Sequence, residues 1–346
     1  MSLKQKKHIL VIRLSAMGDV ALTVPVLKAL TAQHTELQIT VLTKPFFKPF
    51  FRDLDAVEVI SADVKEVHKG TFGLYKLART INKTYTFYAI ADLHSVLRSK
   101  ILKQFIKCKR FVSIDKGRAE KKQLISGKLF KQLKTTPQRY ADVFKALGYT
   151  VDLSNPTFPK KTLLNKKLND VLGDKLHGFV GIAPFAAHDG KMYPLELMQE
   201  VVQQLSKNYK IVLFGGGKNE EAILNRWEQF QKNTVSIAGK LTLDEELDII
   251  SNLDAMLSMD SGNAHVAAMM GIKVVTIWGV THPYAGFAPF NQPEDYALLS
   301  NREQFPLIPT SVYGNKLPKG YEKVSALISP KTVVAKIEAV ISKRKD

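Results

Sequence analysis

With 346 residues, 45% of them hydrophobic and 24% charged, the chain is long enough for two domains and too apolar to be disordered. Its 50 lysines and arginines against 32 acids give a formal charge of +18, which points to an anionic partner: nucleic acid, an acidic membrane surface, or a phosphorylated or carboxylated substrate. A single cysteine, Cys108, excludes a disulfide framework, a thiol metal cluster and a redox pair.

The first apolar run, "HILVIRL", is interrupted by Arg13 and followed by Asp19, so a secretory leader is not expected at this end. It reads as a strand. The next stretch, "SAMGDV", is expected to turn on Gly18 and to set Asp19 at the carboxyl end of that strand, where open α/β sheets bind ligands. Asp19 is also a good helix cap. Thr23, with Pro25 two residues on, is an equally good one, and a helix starting there leaves Asp19 in the preceding loop. The stretch lacks the G-x-G-x-x-G of dinucleotide-binding proteins, which counts against a dehydrogenase.

Further strand-length apolar runs follow, "LQITVLT", "FYAIADL" and "RFVSI" in the first half, then "GFVGIAP", "KIVLFGG", "TVSIA", "AMLSMD" and "KVVTIWG" in the second. Continuous apolar character marks strands covered on both faces, with room between them for crossover helices, so both halves read as parallel α/β sheets. Residues 98–134 carry thirteen lysines and arginines against Asp115 and Glu120. A solvated helical face explains such a run as well as a docking surface for an anionic substrate or phospholipid headgroups does. Its aromatics are too sparse for a single-stranded nucleic acid platform. The expected boundaries are a first domain over 1–155, a linker region over 156–177, a second domain over 178–328 and a terminal helix over 329–346 that could pack back on the first domain, with Ser329 as its cap.

In the second half, "APFAAHDGKMYP" presents Lys191 after a strand, able to neutralise phosphate, although a lone lysine is more often a surface residue. "LFGGGKNEEAIL" places Glu220 and Glu221 at a helix start, either to complement the helix dipole or to hold ribose hydroxyls. In "SMDSGNAHVAAMMG" a strand ends at Asp260, and the N–H groups of Ser261, Gly262 and Asn263 open a short helix. A diphosphate suits that helix start, with His265 as a further donor. The longest uncharged run, 274–293, holds three prolines and two glycines and does not read as a membrane span.

Taken together, "VIRLSAMGDVALTVPVLKAL", "ADLHSVLRS", "QRYADVFKALG" and "SMDSGNAHVAAMMGIKVVTIWGVTHP" resemble the lipopolysaccharide heptosyltransferases, glycosyltransferase family 9, over nearly the whole chain. The resemblance implies a GT-B architecture, two Rossmann-like parallel-sheet domains facing a central cleft. It implies an inverting, metal-independent enzyme that moves heptose from ADP-heptose to the inner core of lipopolysaccharide, on Kdo-lipid A or a heptosyl acceptor, and that uses no cofactor. Asp19 matches the general base. Lys191, Glu220, Glu221, Leu241, Asp260, Ser261, Gly262 and His265 match the donor-binding set, with Glu220 ranked slightly ahead of Glu221. The acceptor is an anionic lipid A core, for which Lys69, Arg98 and Arg118 are candidate contacts. It also implies a cytoplasmic protein, peripheral at the inner face of the bacterial inner membrane, with no nucleic acid partner. A same-family transferase with another nucleotide-sugar, and a basic nucleic-acid- or membrane-binding protein without catalysis, stand as the alternatives.

Overall fold

The computed structural model describes residues 7–343. It divides into two compact units, Met1–Lys116 with Thr136–Thr157, and Gly117–Thr135 with Phe158–Asp346.

The first unit is built on a five-stranded sheet of β1 (Lys7–Ile12), β2 (Leu37–Thr43), β3 (Val57–Ser61), β4 (Phe87–Asp92) and β5 (Cys108–Ser113). The spatial order is β3-β2-β1-β4-β5, all parallel. Ile9 of β1 pairs with Ile39 on one side and Ala89 on the other, so β1 is central and its apolar run is buried on both faces. The chain leaves β1 toward β2 and later returns to β4 on the opposite side. The crevice between β1 and β4 is therefore the topological switch point, where open sheets accept ligands.

The second unit repeats the scheme with six parallel strands: β6 (Phe179–Ala183), β7 (Lys210–Leu213), β8 (Thr234–Ser236), β9 (Ala255–Met259), β10 (Val274–Trp278) and β11 (Ala297–Leu299). Their order is β11-β10-β9-β6-β7-β8. The switch point here lies between β6 and β9. Each sheet has its own buried core, around Leu10, Ile12, Leu77 and Ile90 in the first unit and around Ile182, Val202, Leu257 and Ile277 in the second.

Three boundary expectations change. Gly117–Thr135 goes with the second unit, because Leu124 and Leu133 bury against Ala285, and Leu133 N donates to Tyr284 O at 2.9 Å. Most of the expected linker also belongs there: Phe158 lies against Gly271, Thr162 N donates to Ser251 Oγ at 3.1 Å, and a helix runs over Lys166–Leu172 with Asn165 as its cap. The terminal helix, Pro330–Ser342, is capped by Ser329 as the sequence suggests. Val333, Ile337, Val340 and Ile341 complete the second unit's core, against the helix Leu195–Leu205 and β9. The helix is amphipathic and finds its apolar partner in the sheet it follows.

Candidate functional site

At the first switch point the chain leaves β1 through Arg13, an arginine only 6% exposed at the end of an apolar strand. A guanidinium so placed needs acceptors. Its Nη1 donates to Leu93 O at 2.6 Å, beyond β4, and its Nη2 pairs with Asp19 Oδ2. Arg13 thus ties the end of β1 to the loop after β4 and orients Asp19 between them. The expected turn on Gly18 is not what brings Asp19 there. Gly18 is buried in a short helix, Met17–Ala21, and Asp19 is the third residue of that helix rather than part of a loop. Thr23 does not cap the next helix, Thr23–Gln33, with its side chain. Its hydroxyl donates back to Val20 O at 2.7 Å across the single residue, Leu22, that separates the two helices. Asp19 Oδ2 lies 3.4 Å from Ala16 N, too long for a strong cap, so its carboxylate is held chiefly by Arg13 and keeps a solvent-facing side. Tyr140 Oη donates to Asp19 O at 3.1 Å and secures the backbone of the same turn.

The loop after β4 is organised by a second carboxylate. Asp92, fully buried, accepts from His94 N at 3.0 Å and Ser95 N at 2.8 Å through Oδ1, and from Ser99 Oγ at 2.9 Å through Oδ2. These bonds account for the "ADLHS…S" pattern as loop construction and leave Asp92 committed. His94, buried beside Leu14 and Ser15, has its pKa pushed down to about 3 by burial first, then by the positive charges of Arg13 and Lys116. It is a neutral neighbour of Asp19.

At the second switch point the loop after β6 makes a single turn, Asp189–Lys191, and the end of β9 delivers Asp260. Lys191 Nζ and Asp260 Oδ2 are 2.9 Å apart and both largely buried. Thr281 Oγ1 donates to the same carboxylate oxygen at 2.9 Å. The lysine is confined by backbone with no side chain in the way: a Cβ on Gly314 would lie 2.4 Å from Lys191 Cγ, and one on Gly279 would lie 2.2 Å from Gly190 O. Ser261 stands at the N-cap position of the helix Gly262–Met269 without a side-chain cap bond, its Oγ lying 3.0 Å from Ser258 Oγ instead. The free N–H groups of Gly262 and Asn263 are therefore presented beside the Lys191–Asp260 pair. His265 is buried in that helix.

The two glutamates separate. Glu220 Oε2 accepts from Gly216 N at 2.9 Å and closes its own glycine loop. Glu221 lies against Gly239, whose φ is +70° and where a Cβ would sit 2.6 Å from the carboxyl carbon. Glu221 therefore reaches the turn that carries Leu241.

Residues 98–134 divide between the two units after Lys116. Arg110 donates to Ala146 O at 2.7 Å and Leu147 O at 2.9 Å, capping the helix Thr136–Ala146. In the second unit, Lys121 is buried with its ammonium 4.1 Å above Phe287. Arg302 stacks 3.4 Å from the Phe130 ring centre. Of the three acceptor candidates, Arg98 and the residue after Lys69, Gly70, line one hollow of about 420 Å³ in the first unit. Arg118 begins the helix Arg118–Ile125 of the second unit.

The model of glycosyltransferase family 9 (heptosyltransferase) matches residues 74–307 of this chain. The chain belongs to glycosyltransferase family 9. It is 26% identical over 305 residues to lipooligosaccharide heptosyltransferase 2 of Haemophilus influenzae, covering 80% of this chain and 84% of that one. Among solved structures, it superposes on a family 9 glycosyl transferase from Veillonella parvula with a TM-score of 0.78 at 21% identity over 99% of both chains. With the Escherichia coli ADP-heptose lps heptosyltransferase II the TM-score is 0.71 at 19% identity, covering 98% of this chain and 100% of that one. The architecture is thus the GT-B fold, and the protein is a glycosyltransferase.

Arg13 and Thr281, which hold the two carboxylates, differ in what the sequence says of them. Arg13 carries a signal, because a lone arginine ending a buried strand implies a carboxylate partner. Thr281, Gly279 and Gly314 carry none, since their contacts join segments far apart in sequence. Among the described residues, no group of three or more His, Cys, Asp and Glu side chains is placed to hold a metal ion.

Proposed function

We propose that this protein transfers heptose from ADP-heptose to the inner core of lipopolysaccharide, on Kdo-lipid A or a heptosyl acceptor, in a single inverting displacement. The observation that carries the reading is the charge arrangement at the two switch points. One presents a carboxylate held by a buried arginine. The other presents a lysine and a helix N-terminus side by side.

Asp19 acts as the general base. Its ion pair with Arg13 keeps it oriented, and its open side accepts the proton of the acceptor hydroxyl as that oxygen attacks the anomeric carbon. The bond to the nucleoside diphosphate breaks as the new glycosidic bond forms. Negative charge growing on the leaving diphosphate is met by Lys191 Nζ and by the N–H groups of Gly262 and Asn263, in place of a divalent cation. Asp260, itself held by Thr281, pairs with Lys191 until the donor arrives, and the diphosphate then competes with Asp260 for the ammonium. Glu221, beside the Gly239 turn, is better placed than Glu220 to accept from ribose hydroxyls, and Leu241 lines the base.

The relatives named lipooligosaccharide and lipopolysaccharide heptosyltransferases support the sugar and the acceptor class. Among the described residues no helix is long and apolar enough to cross a membrane, and a cytoplasmic location suits the donor. A thermal-shift comparison of ADP, GDP, UDP and TDP, each alone and as a sugar derivative, tests the donor: a rise with ADP, larger with ADP-heptose, is expected. A rise only with another nucleotide overturns the heptose assignment. Activity unchanged in excess chelator is expected, and its loss would overturn the metal-independent step.

A further inference from the structure

We infer that the first unit docks on an anionic lipid bilayer through the rim formed by the loops after β2, β3 and β4, inserting Phe46, Val67, Phe72 and Leu97. These four side chains are 59%, 70%, 67% and 73% exposed. They come from separate segments that share one end of the sheet: a helical turn Pro45–Phe51 after β2, the loop after β3, and the first turns of the helices Gly70–Thr84 and Leu97–Phe105.

The segments are neighbours. Phe46 and Lys65 line one hollow of about 400 Å³. The loop at His68 presses so closely on the helix Gly70–Thr84 that a Cβ on Gly73 would lie 2.4 Å from His68 backbone. Gly70, Leu74, Leu97 and Arg98 line the next hollow. Four exposed apolar side chains strung along a connected rim cost solvation in water, and such patches mark interaction sites.

Charge selects the partner. Lys48, Lys65, Lys69, Lys76, Arg98 and Lys100 are exposed among these four, and Lys76 Nζ sits 4.6 Å over the Phe72 ring. Asp63 and Glu66 are the acids of the loop after β3, and Asp63 Oδ1 is occupied by its own loop's N–H groups. Apolar tips ringed by flexible lysines match a bilayer interface, where side chains such as Phe and Leu enter the headgroup region while ammonium groups meet lipid phosphates. The choice of a bilayer also rests on the proposed acceptor, whose acyl chains stay in the membrane while its sugars are presented at the same sheet end as Asp19.

Flotation with vesicles of phosphatidylethanolamine and phosphatidylglycerol tests this, beside vesicles of phosphatidylcholine alone. The full chain is expected to float with the anionic vesicles and not with the neutral ones. Phe46→Ser, Val67→Ser and Phe72→Ser combined should lower partitioning roughly tenfold or more, with the thermal shift by ADP unchanged. These side chains are exposed, so the fold should survive. Phe72→Trp should show a blue-shifted emission on anionic vesicles, against the constant background of the buried Trp227 and Trp278. No flotation, or flotation that salt abolishes but the apolar substitutions leave intact, overturns the insertion. Either result leaves the donor assignment to its own test, because vesicle binding and the ADP shift are read separately.

Discussion

The Asp19 turn and the Lys191–Asp260 turn occupy equivalent places in their sheets, yet they are built differently. The first is a single ion pair whose carboxylate keeps a solvent-facing side and whose arginine is anchored to the far side of the crevice. The second is a buried pair, hydrogen-bonded again by Thr281 and walled in by glycine backbone. The proposed roles fit that difference: a base that must meet a variable hydroxyl needs an open face, and a diphosphate site that handles one fixed group can have its lysine held in place beforehand, where preorganisation serves charge stabilisation best.

The comparison breaks most sharply at Asp19. Asp19→Asn should cut turnover about 10²- to 10⁴-fold while the thermal shift by ADP persists; an active variant would remove the base from the account. At the other site the loss should fall on binding. Lys191→Ala should raise the donor Kd about 10- to 100-fold, the scale of a charge-assisted hydrogen bond, and an unchanged constant in calorimetry would reject its phosphate role. Smaller again is the effect of the glycine wall: Gly279→Ala puts a methyl 2.2 Å from Gly190 O and should cost about 1–3 kcal/mol of stability, read as a lower denaturation midpoint. A wild-type midpoint would mean the loops give way easily.

At neutral pH the smallest effect concerns His94, which shows only on acidification. Its folded pKa of about 3 lies below the ordinary 6.5, so the unfolded chain takes up a proton first and stability falls as pH drops from 6.5 toward 3. His94→Gln should flatten that part of the pH–stability curve, leaving the region above pH 7 alone. An unchanged slope would show that His94 protonates freely in the fold.

Most strands were legible because a parallel sheet covered on both faces demands unbroken apolar runs, as in "HILVI" and "VVTIW". The two that escaped, β3 and β11, are edges. "VEVIS" is half-exposed and reads as loop, and β11 is three residues long. That Asp19, Lys191 and Asp260 follow central strands was legible for the same reason, since the end of an apolar run marks the end of its strand. Their partners were not. Thr281 lies 21 residues beyond Asp260, and the glycines act through close approaches that only the tertiary structure creates. The division of the basic segment was not legible, because charge counts along a chain ignore which unit each turn joins: Lys121 and Phe130 pack with residues far downstream.

The account turns on one transfer. The purified chain, incubated with ADP-heptose and Kdo-lipid A and followed by mass spectrometry, should convert the acceptor to a species heavier by one heptose, with ADP released in equal amount. ADP-heptose that binds, raises the melting temperature and yet leaves both Kdo-lipid A and a heptosylated acceptor unmodified would contradict it.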